Sequence, residues 1–252
     1  MNFTELDRKM RRFEQSLDQV IWPELYLAVR LDGRNFTRLT KEICEFEVPF
    51  DVRFRDAMIS TTRHLMECGF RIIYGYTESD EISLLFHRDD NTFGHKTRKI
   101  NSIMAGEASG FMSLQLGVPV CFDSRVAPLP NLECVGDYFA WRQEDAHRNS
   151  LNAHCYWMLR GKGLSASQAA EKLAGKSVSW KNELLFAEKI NYNGLPDWQK
   201  RGIGLYHDTY EKKGFNPIKD QEETTLRKRI EVNMSLQTGD AYRKWVCALA
   251  AE

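Results

Sequence analysis

Two acidic breaks, each set beside β-forming runs, constrain this chain more than any other feature. Asp32-Gly33 follows the run Leu25 to Leu31, which is rich in apolar and β-forming residues. Ser79-Asp80 separates Arg71–Tyr76 from Glu81–His87, and that pair of runs reads as a hairpin. Asp51 is placed to cap a helix over residues 52–67, with Phe54, Met58 and Leu65 as its apolar stripe and Gly69 just past its end. A second helix is expected over 98–116, carrying Ile100, Ile103, Met104, Phe111 and Leu114. Gly106 and Gly110 inside it suggest close packing against a sheet. Cys121–Val126 reads as a fourth strand, ended by Pro128 and Pro130. The order β-α-β-β-α-β is the ferredoxin-like pattern: a four-stranded antiparallel sheet with both helices on one face. In that topology strands one and three are antiparallel neighbours. Asp32, leaving strand one, then meets Asp80, entering strand three.

Taken alone, Asp-Gly also reads as a turn and Ser-Asp-Glu as a solvated hairpin tip. The chemical reading is different. Two carboxylates brought together repel unless a cation lies between them, and hard oxygen donors suit Mg²⁺, which also takes phosphates and water. Paired Mg²⁺ ions held by two Asp side chains serve phosphoryl or nucleotidyl transfer. Gly33 would let the backbone come close to a metal or phosphate, and Arg34, Asn35 and Thr37 offer donors to a triphosphate. Glu81 alternates away from Asp80 on a regular strand and takes a supporting role.

At 252 residues the chain can bury a full core, and 42% hydrophobic content is ordinary for a globular protein. No apolar run is long enough to span a bilayer, and the basic N-terminus has no apolar segment after it. Residues 4–18 read instead as a short helix with Met10, Phe13 and Leu17 on one side. The six cysteines form no CxxC pair and read as reduced cytoplasmic thiols. Lys plus Arg equals Asp plus Glu, so nucleic-acid binding needs local patches.

Two domains are expected: a catalytic one over 1–135 and a mostly helical one over 136–252. In the second, a helix is expected from Arg142 to Leu159. Ser165 and Gln168 form a capping box for a short helix, and Ser179 caps another over 180–189. Residues 202–206 and 224–232 look extended, separated by a polar stretch with Lys212, Lys213 and Lys219. Asp240 to Ala251 closes the chain as a helix. The cluster Trp141-Arg142-Gln143-x-Asp145-x-His147-x-Asn149 reads either as a solvated helix start or as a grip on a phosphate or base edge. His147, His154 and Cys155 lack a fourth ligand for zinc. Lys200, Arg201, Arg227, Lys228 and Arg229, with Arg142, are the candidates for phosphate-backbone contacts, although such short clusters are usually solvated faces.

Arg30-Leu31-Asp32-Gly33-Arg34-Asn35-Phe36, Ser79-Asp80-Glu81-x-Ser83 and the Trp141–Asn149 cluster together resemble the tRNA-histidine guanylyltransferase family, in that family's order and at compatible spacing. Lys181-Asn182-Glu183-x-Leu185-Phe186 is similar to a further family segment. The resemblance implies a polymerase- and cyclase-like palm, a helical fingers-like C-terminal domain, and addition of nucleotides to the 5′ end of tRNA in the 3′-to-5′ direction. It implies that Asp32, the Gly33 carbonyl and Asp80 hold two or more Mg²⁺ ions. Asp32 to Thr37, Ser79, Asp80, His147, Asn149 and Lys181 would face ATP, GTP or the tRNA end. Relatives are multimers, commonly tetramers. After His147 the chain reads Asn149-Ser150-Leu151-Asn152-Ala153, Thr37 stands where His is common, and Val48 where Lys is frequent. The run after His147 looks like the bacterial and protist branch, template-dependent reverse polymerases that repair truncated tRNA 5′ ends, and the changes at Thr37 and Val48 count against tRNA-His specificity. A tRNA-His-specific guanylyltransferase, a nucleotide cyclase and a non-catalytic tRNA-binding protein are the alternatives.

Overall fold

The computed structural model describes residues 2–216 and 221–251. Its centre is an antiparallel six-stranded sheet in the order β4-β1-β3-β2-β5-β6. The strands are β1 (Tyr26–Gly33), β2 (Ile72–Glu78), β3 (Glu81–Phe86), β4 (Phe122–Leu129), β5 (Ile203–Asn216) and β6 (Gln221–Asn233). The first four occupy the expected ferredoxin-like positions, with β1 beside β3 and β2 paired to β3 through the hairpin. Strand β4 runs through Pro128 rather than stopping there, because it is the sheet's edge and proline there costs no ladder bond.

Alternation assigns the two faces. Leu27, Val29 and Leu31 of β1 and Ile82, Leu84 and Phe86 of β3 join the core formed with helices α3 (Val52–Glu67) and α4 (Thr97–Leu116). Asp51 caps α3 as expected, accepting from the Arg53 backbone N–H at 2.7 Å. Gly106 and Gly110 do not pack on the sheet: both are exposed, and a Cβ at either would meet nothing within 4 Å.

The opposite face carries Tyr26, Tyr74, Tyr76 and Leu85 and is covered from the C-terminal half. There α5 (Leu132–Gly161) presents Val135 and Phe139, and α9 (Gly239–Ala251) presents Tyr242 and Val246. The hydroxyls of Tyr74 and Tyr242 meet at 2.8 Å inside this layer.

Helix α5 starts well before Arg142. Its 30 residues extend about 45 Å at 1.5 Å per residue. Its first turns lie on the sheet. Its last turns, through Leu151, Cys155 and Leu159, build a separate helical core with α6 (Ala166–Leu173), α7 (Val178–Ala187) and Tyr192. The Ser165–Gln168 capping box is present, whereas α7 is capped by Ser177 and not Ser179. The second half of the chain is thus less helical than expected. Its long hairpin adds two strands to the sheet, and Lys212 and Lys213 lie within β5; Lys219 lies outside the described residues.

The N-terminal helix α1 (Phe3–Glu14) is shorter than expected and has no buried residue; Phe3 is 81% and Phe13 66% exposed. Among the shorter elements, α2 (Phe36–Arg38) leads into a π-turn over Leu39–Ile43, and α8 spans Asp197–Arg201. Among the described residues, no helix is long and apolar enough to cross a membrane.

Candidate active site

The acidic breaks meet at one end of the sheet. Asp32 stands opposite Glu81 in the β1/β3 register, and Glu78 opposite Glu81 in the β2/β3 register. Ser79 and Asp80 are therefore the two residues of the turn, with Ser79 at φ 47°. The turn folds back on β1, and the Gly33 N–H donates to the Asp80 carbonyl at 3.0 Å. Gly33 has a packing reason as well as a chemical one. A Cβ there would lie 2.3–2.6 Å from the Phe36 ring, which fills the space under the break.

The electrostatics are those of crowded carboxylates. Burial raises the Asp80 pKa, and the charge of Asp32 raises it further. Burial, with Glu81, Asp80 and Asp145 nearby, lifts Glu78 to about 8. Glu81 is raised by burial and held back by Arg142 and Arg30. Its Oε2 accepts from Arg142 at 3.0 Å, and Arg30 Nη1 lies at 3.5 Å. Arg142 also donates to Asp145 at 2.7 Å, and Asp145 accepts from the Asn149 amide at 3.3 Å.

Arg142 is thus an internal cation. Its side chain is only 4% exposed, which rules out the surface phosphate contact the sequence suggested. Lys200 and Arg201 are partly engaged too: Lys200 with Asp197 at 3.1 Å, Arg201 with Glu144 at 2.8 Å.

A cavity of 220 Å³ opens beside the turn. Phe36, Thr37, Ser79 and Asp80 line it, together with residues that spacing did not reveal: Lys41, Phe46, Trp157 and Trp198. Lys41 Nζ sits 4.4 Å from the Trp157 ring centroid, and burial and Arg160 both lower its pKa. A cavity lined by aromatic rings, by Lys41 and by the carboxylates of Glu78 and Asp80 has the chemistry to take a base and phosphates.

The other candidates lie apart from this cavity's lining. Arg34 and Asn35 are exposed, with Asn35 at φ 62°. His147 Nδ1 is 3.2 Å from the Tyr192 hydroxyl, and burial lowers its pKa. Lys181 lies on α7, where its carbonyl accepts from the Cys155 thiol at 3.5 Å. His154 packs on Phe50 and Tyr192, so the possible zinc set does not converge. Among the described residues no three His, Cys, Asp or Glu side chains form a metal cage. A cation here would rest on Asp32, Asp80 and backbone oxygen, with substrate and water completing its shell. That sparse hard-oxygen set fits Mg²⁺.

An antiparallel βαββαβ sheet with paired aspartates beside such a cavity is the frame of a nucleotidyltransferase, and comparison with known proteins agrees. The family model described as tRNAHis guanylyltransferase matches residues 7–130, and that of the Thg1 C terminal domain matches residues 133–241. The chain belongs to the tRNA(His) guanylyltransferase family.

It is 34% identical over 206 residues to a probable tRNA(His) guanylyltransferase of Drosophila melanogaster, covering 78% of this chain and 71% of that protein. It is 32% identical to the tRNA(His) guanylyltransferase of Debaryomyces hansenii, covering 89% of each. A bacterial tRNA(His) guanylyltransferase (Thg1)-like protein in complex with GTP superimposes with a TM-score of 0.74 at 27% identity, over 98% of this chain and 100% of that one. A complex of such a bacterial protein with ATP gives a TM-score of 0.73, also at 27% identity and with the same coverage.

Proposed function

We propose that this enzyme repairs truncated tRNA 5′ ends by template-dependent addition of nucleotides in the 3′-to-5′ direction. What supports this reading is the turn carrying Asp80, which lines the cavity and is bonded to Gly33 at the end of β1, next to Asp32. Bacterial structural relatives in complex with GTP and ATP support a nucleotide site in this fold.

Asp32, the Gly33 carbonyl and Asp80 would hold Mg²⁺, which when bound supplies charge stabilisation to the attacking and leaving oxygens. The residues supply position. Phe36, Thr37, Ser79 and the cavity walls seat ATP with its α-phosphorus toward the carboxylates. The tRNA 5′ monophosphate attacks that phosphorus, giving a 5′-adenylylated end and pyrophosphate. The 3′-hydroxyl of an incoming nucleoside triphosphate then attacks the activated 5′ phosphate and releases AMP. Base pairing with the opposite acceptor strand selects the nucleotide, so no side chain has to read the base. His147, Asn149 and Lys181 contact the incoming nucleotide or the RNA end. The reaction is placed in the cytoplasm, in keeping with six free cysteines. A tetramer would bury the exposed apolar side of α1.

The test offers 5′-truncated tRNAs of several identities with each nucleoside triphosphate and reads the added base against the opposing nucleotide. Addition that follows the template in any tRNA is the expected result. Addition of G to tRNA-His alone, whatever the template, would make the enzyme a tRNA-His guanylyltransferase, the specificity its curated relatives are named for.

A further inference from the structure

The two-step reaction makes a demand on space. The adenylyl group stays on the tRNA until the second step displaces it, so the incoming nucleoside triphosphate needs a seat of its own. The cavity beside the turn lies between α3 and the later turns of α5, where Met58, Ala153 and Trp157 line it. Trp141 stands on a different flank of that helix, clear of the cavity's lining.

Register and helical spacing place this tryptophan. Directly paired residues share a face of a sheet, so Asp32, Glu81 and Asp123 lie on one side, with Arg30 and Arg125 two residues along. Glu81 meets Arg142 there, so this is the α5 side. Helix α5 starts beside Leu129 and climbs the sheet toward its acidic end. Gly136 and Gln143 turn to the C-terminal cover: a Cβ on Gly136 would meet Cys247 Sγ at 2.8 Å, and Gln143 donates to the Gln237 carbonyl at 2.9 Å. Tyr138, Trp141 and Asp145 recur at helical spacing on the opposite flank, toward β1 and β4. The cover stops short there, and the side chains of Asp123 and Arg125 are exposed. Trp141 and Asp32 thus border the same uncovered end of the sheet.

An exposed tryptophan is often no more than a piece of surface. Trp141 is 55% exposed, yet the Arg142 guanidinium lies 3.9 Å from its ring centroid, and the Tyr138 ring packs edge-on at 5.9 Å. Glu81 and Asp145 fix that guanidinium in turn. One face of the indole is therefore held from inside the protein, and the other is open. A held aromatic with a free face stacks on any base, because every base has a π-face. That suits templated addition, in which pairing chooses the nucleotide and the protein must stay indifferent to it. A nucleotide added at the end of a stem has one face on the stem and the other bare. The bare face is what such a platform covers.

We propose that the open face of Trp141 stacks on the base of the incoming nucleotide, holding it against the template while its 3′-hydroxyl lies toward Asp32. This deepens the proposed function and rests on it.

The experiment supplies tRNA that is already 5′-adenylylated, which isolates the second step. It measures single-turnover addition by the full chain across nucleoside triphosphate concentration. Loss of one base stack weakens binding about 5- to 150-fold, so the half-saturating concentration of the incoming nucleotide rises by that factor in Trp141→Ala. Purine triphosphates, with the larger π-face, lose more than pyrimidine triphosphates. Formation of the adenylylated end from ATP and 5′-monophosphate tRNA keeps its rate and its KM for ATP. Trp141→Phe retains most of the affinity, whereas Trp141→Leu, apolar but without a ring, behaves as the alanine variant does. Trp22→Ala, which removes another exposed indole, is the control.

An unchanged half-saturating concentration in Trp141→Ala overturns the inference. So does an equal loss in the adenylylation step or in Trp22→Ala, or full rescue by leucine. A shift to a smaller assembly with the nucleotide dependence intact overturns it too, and would give the ring to a second copy of the chain. If the parent adds only G to tRNA-His whatever the template, the proposed specificity fails, while the GTP dependence at that end still reads the platform. If the parent follows the template and Trp141→Ala matches it, the platform alone fails. A parent that adds nothing to the adenylylated end ends both.

Discussion

Arg142 donates to Glu81 at 3.0 Å across the boundary between strand β3 and helix α5, and both side chains are withdrawn from solvent. The same guanidinium holds Asp145 at 2.7 Å. Replacing it by glutamine leaves two carboxylates facing each other with one cation fewer. Arg142→Gln should cost about 3 to 5 kcal/mol in chemical denaturation, the usual penalty for breaking a buried pair from one side. Arg142→Gln/Glu81→Gln should recover much of that loss. No recovery would show that the guanidinium acts through packing on Trp141, whose ring centroid lies 3.9 Å away.

Asp32→Ala and Asp80→Ala should each reduce 5′ addition to background while the circular dichroism spectrum stays that of the parent. Asp80 has its pKa raised by burial and by Asp32, so its ionised form weakens the metal-free fold. Asp80→Asn should therefore melt higher than the parent in EDTA at neutral pH. Added Mg²⁺ should raise the melting temperature of the parent but not of the variant. An equal Mg²⁺ response in both, or near-normal turnover in either alanine variant, would sink the metal assignment.

Gly33→Ala tests the packing reason for that glycine. The new methyl would press on the Phe36 ring, already wedged against Phe122 with centroids 5.0 Å apart. Overpacking of this kind costs about 1 to 3 kcal/mol. Because the Gly33 N–H is bonded to the Asp80 carbonyl, nucleotide addition should fall more steeply than stability does.

Asp51 gives an acid-side prediction. The Arg53 guanidinium, and backbone N–H groups of Glu47 and Arg53, hold its carboxyl well below the usual carboxylate range. A depressed folded pKa stabilises the protein above the unfolded value, near 3.8, and that stability drains away as pH falls toward the folded value. Asp51→Ala should thus lose about 1 to 2 kcal/mol at pH 7, with the difference from the parent shrinking below pH 4. Denaturation curves at pH 3 and pH 7 measure it, and a difference independent of pH would remove the ionised carboxylate from the cap.

Tyr242→Phe should leave the Tyr74 hydroxyl buried without its 2.8 Å partner. The cost is about 1 to 3 kcal/mol, or roughly 2 to 4 °C of melting temperature per kcal/mol at this chain length. Tyr74→Phe/Tyr242→Phe removes both polar ends and should melt closer to the parent.

Local patterns carried much of the fold into view. Asp51, the stripe on α3, the capping box at Ser165 and the hairpin around Ser79-Asp80 are signals within a few residues of one another, and the structure has each of them. The long C-terminal hairpin was only half visible, because charged and polar residues along β5 and β6 obscure the alternation that marks a strand. The C-terminal cover over Tyr74 and Tyr76 depends on distant pairings that no local pattern records. Nor could spacing reveal the cavity wall, since Lys41, Trp157 and Trp198 come from three separate segments. Arg142 misled for a related reason: an arginine in a polar run looks like a surface cation until the carboxylate it meets, sixty-one residues earlier, is known.

The pairing of β5 with β2 bears on how the polypeptide can be cut. The two family models meet between residues 130 and 133, which invites separation there. A fragment ending at 130 would bare the hydrogen-bonding edge of β2 and uncover Tyr26, Tyr74, Tyr76 and Leu85 together. Such a piece would associate with its own kind before it could be assayed. The chain has two sequence modules that share one sheet, and the sheet of the catalytic half is complete only once the C-terminal half has been synthesised.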